Sequence, residues 1–374
     1  MQKKASKCAL IILFLALLYV PALASLIAGD RIKSANLENR PLAQWPTFSL
    51  ENISKLPHKY ELYYDDNLPF RDQLIFVRAL INKTLYNRDI RQEVVYGKDG
   101  WLFYSARSDG DAIADYRGED LFTREELRQI SVDLRKTRDA LKKQGSDFVL
   151  MIAPNKERIY SEYMPDRFGA PAEEYAAKQL VDFLRKHTDL KVIYPYEALM
   201  QAKADFPDVS IYYAHDTHWS GVGAYVGTRE LLSALGIQIP PLSEENILRG
   251  GPRGNGDLAI LSHLNTILPQ DALYSVSDSA RPAFSVLSKD SRLTTVAQAS
   301  AGQPVLFFRH DSFGEHMLDY LLPWFSQSFS VFTQYQDDAQ VDETHPDIYV
   351  MEVVERYVRS RLLKGPLYTE PAKR

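Results

Sequence analysis

The pattern of apolar residues changes character near residue 120. Beyond that point, continuous apolar runs alternate with stretches in which apolar side chains recur every three or four positions. Runs such as DFVLMIAP (147–154) and PVLFF (304–308) predict strands buried on both faces, and the stretches between the runs predict helices. Strands that alternate with helices in this way predict an α/β fold with a parallel sheet covered on both faces.

Local signals support these elements. The stretch TREELRQISVDLRKTRDALKKQG is amphipathic, with Thr123 as the predicted N-cap, Glu126 completing a capping box and Gly145 near its end. Upstream, EVVYGKDGWLFY (93–104) predicts a hairpin around a Lys-Asp-Gly turn. A helix over 219–235 is predicted directly after the stretch DTHWS.

The N-terminus follows another pattern. Three lysines among the first seven residues precede an apolar run over residues 8–29. Positive charge before about 20 apolar residues is typical of an export signal or a signal anchor. The length of the run suits an uncleaved anchor, whereas ALA at 22–24 suits cleavage. We expect the rest of the chain to lie in the periplasm, anchored to the inner membrane by residues 8–29.

The remaining segments complete the predicted organisation. They are a stalk and lead-in helix over 30–90, one domain over 91–365 with a proline- and glycine-rich irregular insertion at 237–300, and a tail at 366–374. The lead-in helix is predicted from the helical spacing of Leu74, Val77, Leu80 and Ile81.

Composition and charge narrow the class of protein. The chain is 45% hydrophobic and 25% charged, as a folded globular protein is. Its net charge of −5 becomes more negative without the N-terminal lysines, so no electrostatic footprint for nucleic acid is present. Cys8 is the only cysteine and lies in the apolar run, so the exported part has no disulfide. A chain of 374 residues can bury a core large enough not to need one.

The first candidate site lies in FFRHDSFGE, where Ser312 follows a predicted buried strand and opens a helix. Sheets of this kind place their sites in loops at the carboxyl ends of the strands. A serine hydroxyl at this turn can project above the sheet, beside the free backbone N–H groups of the next helix, so Ser312 is a candidate nucleophile. Alternatively, Asp311 or Ser312 only caps the helix.

The second candidate site lies in DTHWS. Asp216 and His218 are two positions apart in an extended lead-in, so their side chains point the same way. A carboxylate in that position can orient an imidazole and stabilise its protonated form. The two segments together therefore offer a nucleophile, a base and an orienting acid.

A metal site is the alternative interpretation of the same histidines. Its ligands would be His215, Asp216 and His218, joined by His310 or His316. No recurrent ligand spacing supports this alternative, so serine chemistry is favoured over a metal.

Five motifs carry a family resemblance. GKDGWLFY, DTHWS, NGDLA, the Asp-Ser-Phe of HDSFG, and ERY occur in the order seen in alginate O-acetylation proteins of the AlgX and AlgJ type. The chain resembles this SGNH-hydrolase-like, DHHW-type family over roughly residues 35–362, and is closer to the AlgJ type because no C-terminal carbohydrate-binding domain follows. The resemblance implies a three-layer α/β sandwich with a parallel sheet and a permuted topology, because the serine motif comes last here.

The resemblance also implies roles for the candidate residues. Asp216 becomes the orienter, His218 the base and Ser312 the nucleophile of a triad that needs no metal and no cofactor. One departure is His310, which stands where the family more often has glycine. A side chain at this position can crowd or reshape the oxyanion pocket.

The implied activity is O-acetyl transfer, through an acetyl-serine, to hydroxyls of an alginate-like or cellulose-like exopolysaccharide. Because acetyl-CoA is cytoplasmic, an exported transferase needs a relay, and the resemblance implies a multi-pass membrane acyltransferase of the MBOAT type as that donor. Two alternatives stay open. One is a carbohydrate acetylesterase with the same triad, and the other is a non-catalytic scaffold of a polysaccharide secretion complex.

Three further residues are candidates for substrate or oxyanion binding. Asn155 ends the strand DFVLMIAP and is either an oxyanion donor or a turn residue. Trp219 is either part of the core or a platform on which a sugar stacks. Arg309 either holds an acidic sugar or pairs within the fold.

Overall fold

The structure is a computed structural model that describes residues 41–87, 93–289, 295–299, 304–335 and 338–369, with scattered positions between 7 and 27. The described strands, in chain order, are β1 (Val94–Tyr96), β2 (Leu102–Tyr104), β3 (Asp147–Ala153), β4 (Lys191–Ile193), β5 (Ile247–Pro252), β6 (Ala272–Val276), β7 (Ser285–Lys289), β8 (Thr295–Gln298), β9 (Val305–His310), β10 (Gln327–Phe332) and β11 (Ile348–Val354).

The helices are numbered in the same way. From residue 41 onward they are α1 (Leu56–Asn67), α2 (Arg71–Tyr86), α3 (Ala112–Tyr116), α4 (Arg124–Lys143), α5 (Lys156–Ile159), α6 (Ala176–His187), α7 (Tyr196–Asp205), α8 (Gly221–Ala234), α9 (Asp257–Leu261), α10 (Ser312–Glu315), α11 (Leu318–Leu321), α12 (Asp338–Thr344) and α13 (Val358–Leu362).

Among the described residues, seven strands form the central sheet, in the order β4-β3-β11-β9-β10-β8-β7. The first five are parallel to one another, which confirms the predicted parallel sheet. The last two, β8 and β7, are antiparallel to their neighbours. The Asp–His segment precedes the serine strand in the chain, which is the order expected of the permuted topology.

The prediction that 237–300 is irregular was wrong. This segment contains the β5–β6 pair and the antiparallel strands β7 and β8, which extend the central sheet. Strands β5 and β7 expose most of their side chains. No apolar run therefore marks them in the sequence, and the prolines and glycines around them hide the strand pattern.

Side-chain alternation places a separate core on each face of the sheet. On β3, Val149 and Met151 belong to one apolar cluster, together with residues of α8. Leu150 and Ile152 belong to the other, together with residues of α4 and α6. Because successive side chains of a strand point to opposite faces, both faces are covered by helices as predicted.

Two of the local predictions are confirmed. Thr123 caps α4, and the Glu126 side chain accepts from the backbone N–H of Thr123, which completes the capping box. The hairpin at 93–104 is present as the antiparallel pair β1–β2.

The chain divides into two compact units, and the smaller contains α1, α2 and residues 260–267. The predicted lead-in helix is present as α2. Its apolar face is exposed by 38–49% at Leu74, Val77, Leu80 and Ile81. The helical spacing was therefore read correctly, but these side chains are not buried.

Half of the apolar run over 8–29 lies outside the described residues, as do residues 370–374 of the tail. Within the described part of the chain, no helix combines the length and the apolar character needed to cross a bilayer.

Candidate active site

Ser312 stands where β9 turns into α10, and its neighbour Asp311 performs the capping. One carboxylate oxygen of Asp311 accepts from the Phe313 N–H at 2.8 Å, and the other accepts from the Val354 N–H at 2.8 Å. Asp311 therefore caps the helix and ties the turn to the end of β11. The Ser312 hydroxyl makes no hydrogen bond to any described residue, so it is not committed to a structural role.

A buried carboxyl lies beneath the same turn. Glu352, on β11, accepts from the backbone N–H groups of Asp311 at 3.1 Å and Gly314 at 3.2 Å. Burial and the charge of Asp311 raise the pKa of Glu352 well above its ordinary value. The predicted row of free helix N–H groups is thereby reduced. Among residues 311–314, the N–H of Ser312 alone has no partner in the described part of the chain.

Asp216 is hydrogen-bonded to the ring of His218. The Nδ1 atom of His218 lies 2.7 Å from Oδ1 of Asp216, and the His218 N–H donates to the same oxygen at 3.0 Å. The contact fixes the ring and directs Nε2 away from the carboxylate. Nε2 is buried and has no hydrogen-bond partner among the described residues.

His218 packs against the helix that Ser312 begins. Its ring centroid lies 5.0 Å from that of Phe313 and 4.9 Å from that of His316. The Ser312 hydroxyl and His218 are not hydrogen-bonded to each other in this structure. Nucleophile–base hydrogen bonds are often long in the absence of substrate and tighten in the reacting complex.

Asp216 is surrounded by four donors. In addition to the two from His218, its Oδ2 atom accepts from Nη1 of Arg253 at 2.7 Å and from the Asp257 N–H at 3.2 Å. Burial alone would raise the pKa of Asp216, but the hydrogen bonds and charges of His218 and Arg253 outweigh it and hold that pKa far below its usual range. Asp216 is therefore ionised at neutral pH.

Asp257, from the NGDLA motif, braces the same loop. It accepts from the backbone N–H of Thr217 at 2.7 Å and from the Thr217 hydroxyl, and its Oδ2 atom lies 3.6 Å from His218 Nδ1. The preceding Gly256 runs so close to this loop that a Cβ atom would lie 2.2 Å from the His215 carbonyl oxygen. The glycine of the motif is therefore required by the close approach of two backbones.

Lys156 stabilises the loop that carries Asp216 and His218 from its buried side. Its side chain is 1% exposed, and its Nζ atom donates to the carbonyl oxygens of Tyr213, Ala214 and Asp216 at 3.1, 3.3 and 2.7 Å. Burial lowers the pKa of Lys156 to about 8. The lysine satisfies carbonyl groups that would otherwise be buried without a donor.

The predicted metal ligands do not all lie close to one another in the structure. His215 pairs with Asp271 at 3.0 Å, and His310 bonds the Asp311 carbonyl and the Ser330 hydroxyl. Asp216, His218 and Asp257 do lie close enough together to share a cation. However, the guanidinium of Arg253 already bonds Asp216 and would repel a metal ion there.

Three weaker candidates do not line the Ser312 cavity. Trp219 is completely buried and its Nε1 donates to the Phe313 carbonyl at 3.0 Å, so it offers no face to a sugar. Asn155 is 1% exposed, and its side chain bonds Asp115 and the Arg356 N–H, which makes it a turn residue. The oxyanion and sugar-stacking interpretations of these two residues were therefore wrong.

Arg309 and His310 are consecutive residues of β9, so their side chains point to opposite faces of the sheet. Arg309 donates to the Leu367 carbonyl at 3.1 Å and lines a cavity of about 290 Å³ that does not include Ser312. The fully buried ring of His310 stacks on Phe308 and does not line the Ser312 cavity, so the expected crowding there does not occur.

Ser312 opens into a cavity of about 380 Å³. Its other lining residues are Asp109, Asp311, Phe332, Gln334, Tyr357, Ser360, Arg361 and Lys364. Asp109 accepts from the hydroxyls of Tyr104 and Tyr357, both at 2.7 Å. Arg361 and Lys364 form no ion pair with a described residue, so the cavity is lined by two unpaired cationic side chains as well as by the carboxyl groups of Asp109 and Asp311.

Sequence reasoning missed Arg253, Asp257, Lys156 and Glu352. The NGDLA motif was noticed but given no role, although its aspartate touches the DTHWS loop. Lys156 follows a predicted buried strand and Glu352 interrupts the apolar run IYVMEVV, and a charged residue in such a place is a signal in its own right. Arg253 carried no signal, because its segment was taken to be irregular.

Ser312 follows a central strand of a parallel sheet, and the Asp216–His218 pair packs beside it. This arrangement is that of an SGNH-hydrolase-like protein. Comparison with known proteins agrees. Residues 94–264 match the family model of the SGNH hydrolase-like domain of the acetyltransferase AlgX. The chain belongs to the AlgX/AlgJ-type family.

Individual relatives support this membership. Probable alginate O-acetylases AlgJ of Pseudomonas syringae pv. tomato and Pseudomonas putida are 31% and 30% identical to it over 285 and 256 residues. These matches cover 72% and 66% of this chain, and the chain spans only 66% and 60% of the two relatives.

Solved structures agree on the fold alone. Bacillus cereus PatB1 with a sulfonyl adduct has a TM-score of 0.52 at 14% identity, covering 73% of this chain and 99% of its own. A DHHW family protein from Eubacterium siraeum has a TM-score of 0.50 at 13% identity, covering 74% and 99%.

Proposed function

We propose that this protein is an O-acetyltransferase that moves an acetyl group, through Ser312, onto hydroxyls of an exopolysaccharide outside the cytoplasm. The observation that carries the proposal is the uncommitted Ser312 hydroxyl, which opens into a cavity while the Asp216–His218 pair packs against the same helix. The relatives named probable alginate O-acetylases support the same activity.

The chemistry proceeds in two halves. His218 removes the Ser312 proton as Oγ attacks the acetyl carbonyl, and the Ser312 N–H donates to the developing oxyanion. The leaving group takes the proton from His218, which leaves an acetyl-serine. An acceptor hydroxyl then loses its proton to His218 and attacks the ester, and Ser312 recovers its proton as the product leaves. Asp216 stabilises the imidazolium in both halves.

The acetyl donor and the location follow from the expected export of the chain. We propose that residues 8–29 anchor the protein to the inner membrane, and that a multi-pass membrane acyltransferase presents the acetyl group on the periplasmic side. A reporter fused after the last residue should be active only outside the cytoplasm. Activity of that fusion inside the cytoplasm would remove the case for a polysaccharide acceptor.

The charges of the cavity bear on which polymer is the acceptor. Arg361 and Lys364 line the cavity together with Ser312 and lack acidic partners, whereas Asp109 is held by two tyrosine hydroxyls. Cationic side chains that are not engaged in an ion pair can bind the carboxylates of a uronate chain, which a neutral glucan lacks.

The deciding experiment measures both the acyl-enzyme and the products. Intact-mass spectrometry with a small activated acetate should show one added acetyl group on the wild type and none on Ser312→Ala. Addition of oligosaccharide acceptors should then move acetyl groups onto sugar, seen as added mass. An acetyl-serine that only water discharges would establish an esterase, and absence of any acyl-enzyme would favour the scaffold.

A further inference from the structure

Arg253 reaches the site from the loop after β5. Its Nη1 atom lies 2.7 Å from Oδ2 of Asp216, the oxygen that does not bond the His218 ring. The guanidinium lies 4.2 Å from the centre of the Tyr213 ring, and its side chain is 19% exposed. A backbone hydrogen bond from Arg253 to the Asp271 carbonyl at 2.9 Å fixes the approach. The arginine is thus held from three sides.

The charges around His218 explain why an arginine is needed there. Two carboxylates face the same ring nitrogen, Asp216 at 2.7 Å and Asp257 at 3.6 Å. Two carboxylates beside one imidazole favour its protonated form, which cannot act as a base. Arg253 offsets one of these negative charges without itself contacting the ring.

The other groups packed around His218 do not supply this compensation. Burial and the neighbouring His218 lower the pKa of His316 to about 4, so that ring is neutral at pH 7. Lys156 donates to the backbone carbonyls of the loop and acts on Asp216 only through space. Ser312 carries no charge. Arg253 is therefore the cation that is hydrogen-bonded to the carboxylate of the pair.

We propose that Arg253 is a positioning residue for the Asp216–His218 pair, supplied by segment 237–300, and that its charge sets the lower end of the pH range in which His218 acts as a base. The proposal rests on the proposed function, because it assumes that His218 is the base for Ser312. It gives a catalytic consequence to a segment none of whose described residues lines the Ser312 cavity.

The test compares Arg253→Gln with wild type in the pH dependence of kcat/KM for a chromogenic acetate. The acidic limb of the profile should move to higher pH by about one unit, since a lost opposing charge at this range shifts such equilibria by about that much. At the acidic end this is roughly a tenfold loss, and the high-pH plateau should fall much less. A loss of equal size at every pH would mean that Arg253 only supports the fold.

Matched variants separate charge from structure. Arg253→Lys keeps the charge and should hold the limb near the wild-type position. Arg253→Met keeps the stem over Tyr213, and should move the limb as glutamine does; it replaces Arg253→Gln if that variant does not fold. Arg249→Gln is the control, since Arg249 lies on β5 and pairs with the exposed Glu244 at 3.0 Å. Its profile should match wild type.

Failure of the proposed function and failure of the inference about Arg253 give different results. If wild-type Ser312 is never acetylated, the proposed function fails first. If Ser312 is acetylated and both neutral Arg253 variants keep the wild-type limb, the inference about Arg253 is wrong while the proposed function survives.

Discussion

The Nδ1 atom of His218 lies 2.7 Å from the Oδ1 atom of Asp216, two residues earlier in the same loop. Because the contact is made at Nδ1, Nε2 is the nitrogen left to accept a proton. The unpartnered Nε2 atom suits the role of base that we propose for His218. This relationship makes the roles of the individual residues open to separate tests.

Replacement of the reacting groups should show that they act as a unit. Ser312→Ala and His218→Ala should each lower kcat/KM for a chromogenic acetate by about 10³-fold or more, and the double variant should be little worse. Asp216→Asn should be damaging but leave a larger residual rate, because Asp216 orients and does not react. Losses that add in the double variant would show that the two residues do not share one step.

Chelation should leave the reaction unchanged. Arg253 occupies the open side of Asp216, and the His218 Nδ1 atom is already hydrogen-bonded. We expect the rate of ester hydrolysis to be the same after prolonged EDTA treatment and removal of the chelator. Loss of activity that zinc restores would instead identify Asp216, His218 and Asp257 as metal ligands.

The positive charges of Arg361 and Lys364 should lower the KM for an acidic acceptor. Arg361→Gln and Lys364→Gln should each raise KM for an oligouronate by about tenfold more than they change hydrolysis of a neutral acetate, the equivalent of about 1.4 kcal/mol. Added salt should weaken uronate use by the wild type in the same direction. Lys186→Gln, an exposed lysine on α6, is the control. Equal losses on uronate and glucan acceptors would contradict a charge-based role.

A buried carboxyl near the site should be visible in the pH dependence of stability. Burial, together with the charge of Asp115, raises the pKa of Glu355 well above its ordinary value. The folded state therefore binds this proton more tightly than the unfolded state, and the group's contribution to the free energy of unfolding falls as pH rises above about 4.5.

Glu355→Gln removes this dependence. We expect the free energy of unfolding of Glu355→Gln minus that of wild type, both measured by urea denaturation, to increase from pH 5 to pH 8. The variant thus becomes more stable relative to wild type as pH rises. Glu173→Gln, at an exposed position, should show a constant difference over that range. A constant difference for Glu355→Gln as well would show that Glu355 is ionised in the folded protein.

The sequence by itself determined the elements that carry strong periodic or capping signals. The apolar runs at β3 and β9 predicted strands of the parallel core of the sheet, and the capping box predicted the start of α4. It also singled out Ser312, Asp216 and His218. These signals are local, because a buried strand or a helix start imposes its pattern on consecutive residues.

Only the tertiary structure decided which charged groups complete the site. Arg253 and Asp257 reach the Asp216–His218 pair from a segment with little apolar signal, and Lys156 reaches it from the end of another strand. The tertiary structure also shows that Asn155 and Trp219 are buried. The physical reason is that side-chain partners are set by how distant backbones approach, as at Gly256, and sequence spacing does not encode that distance.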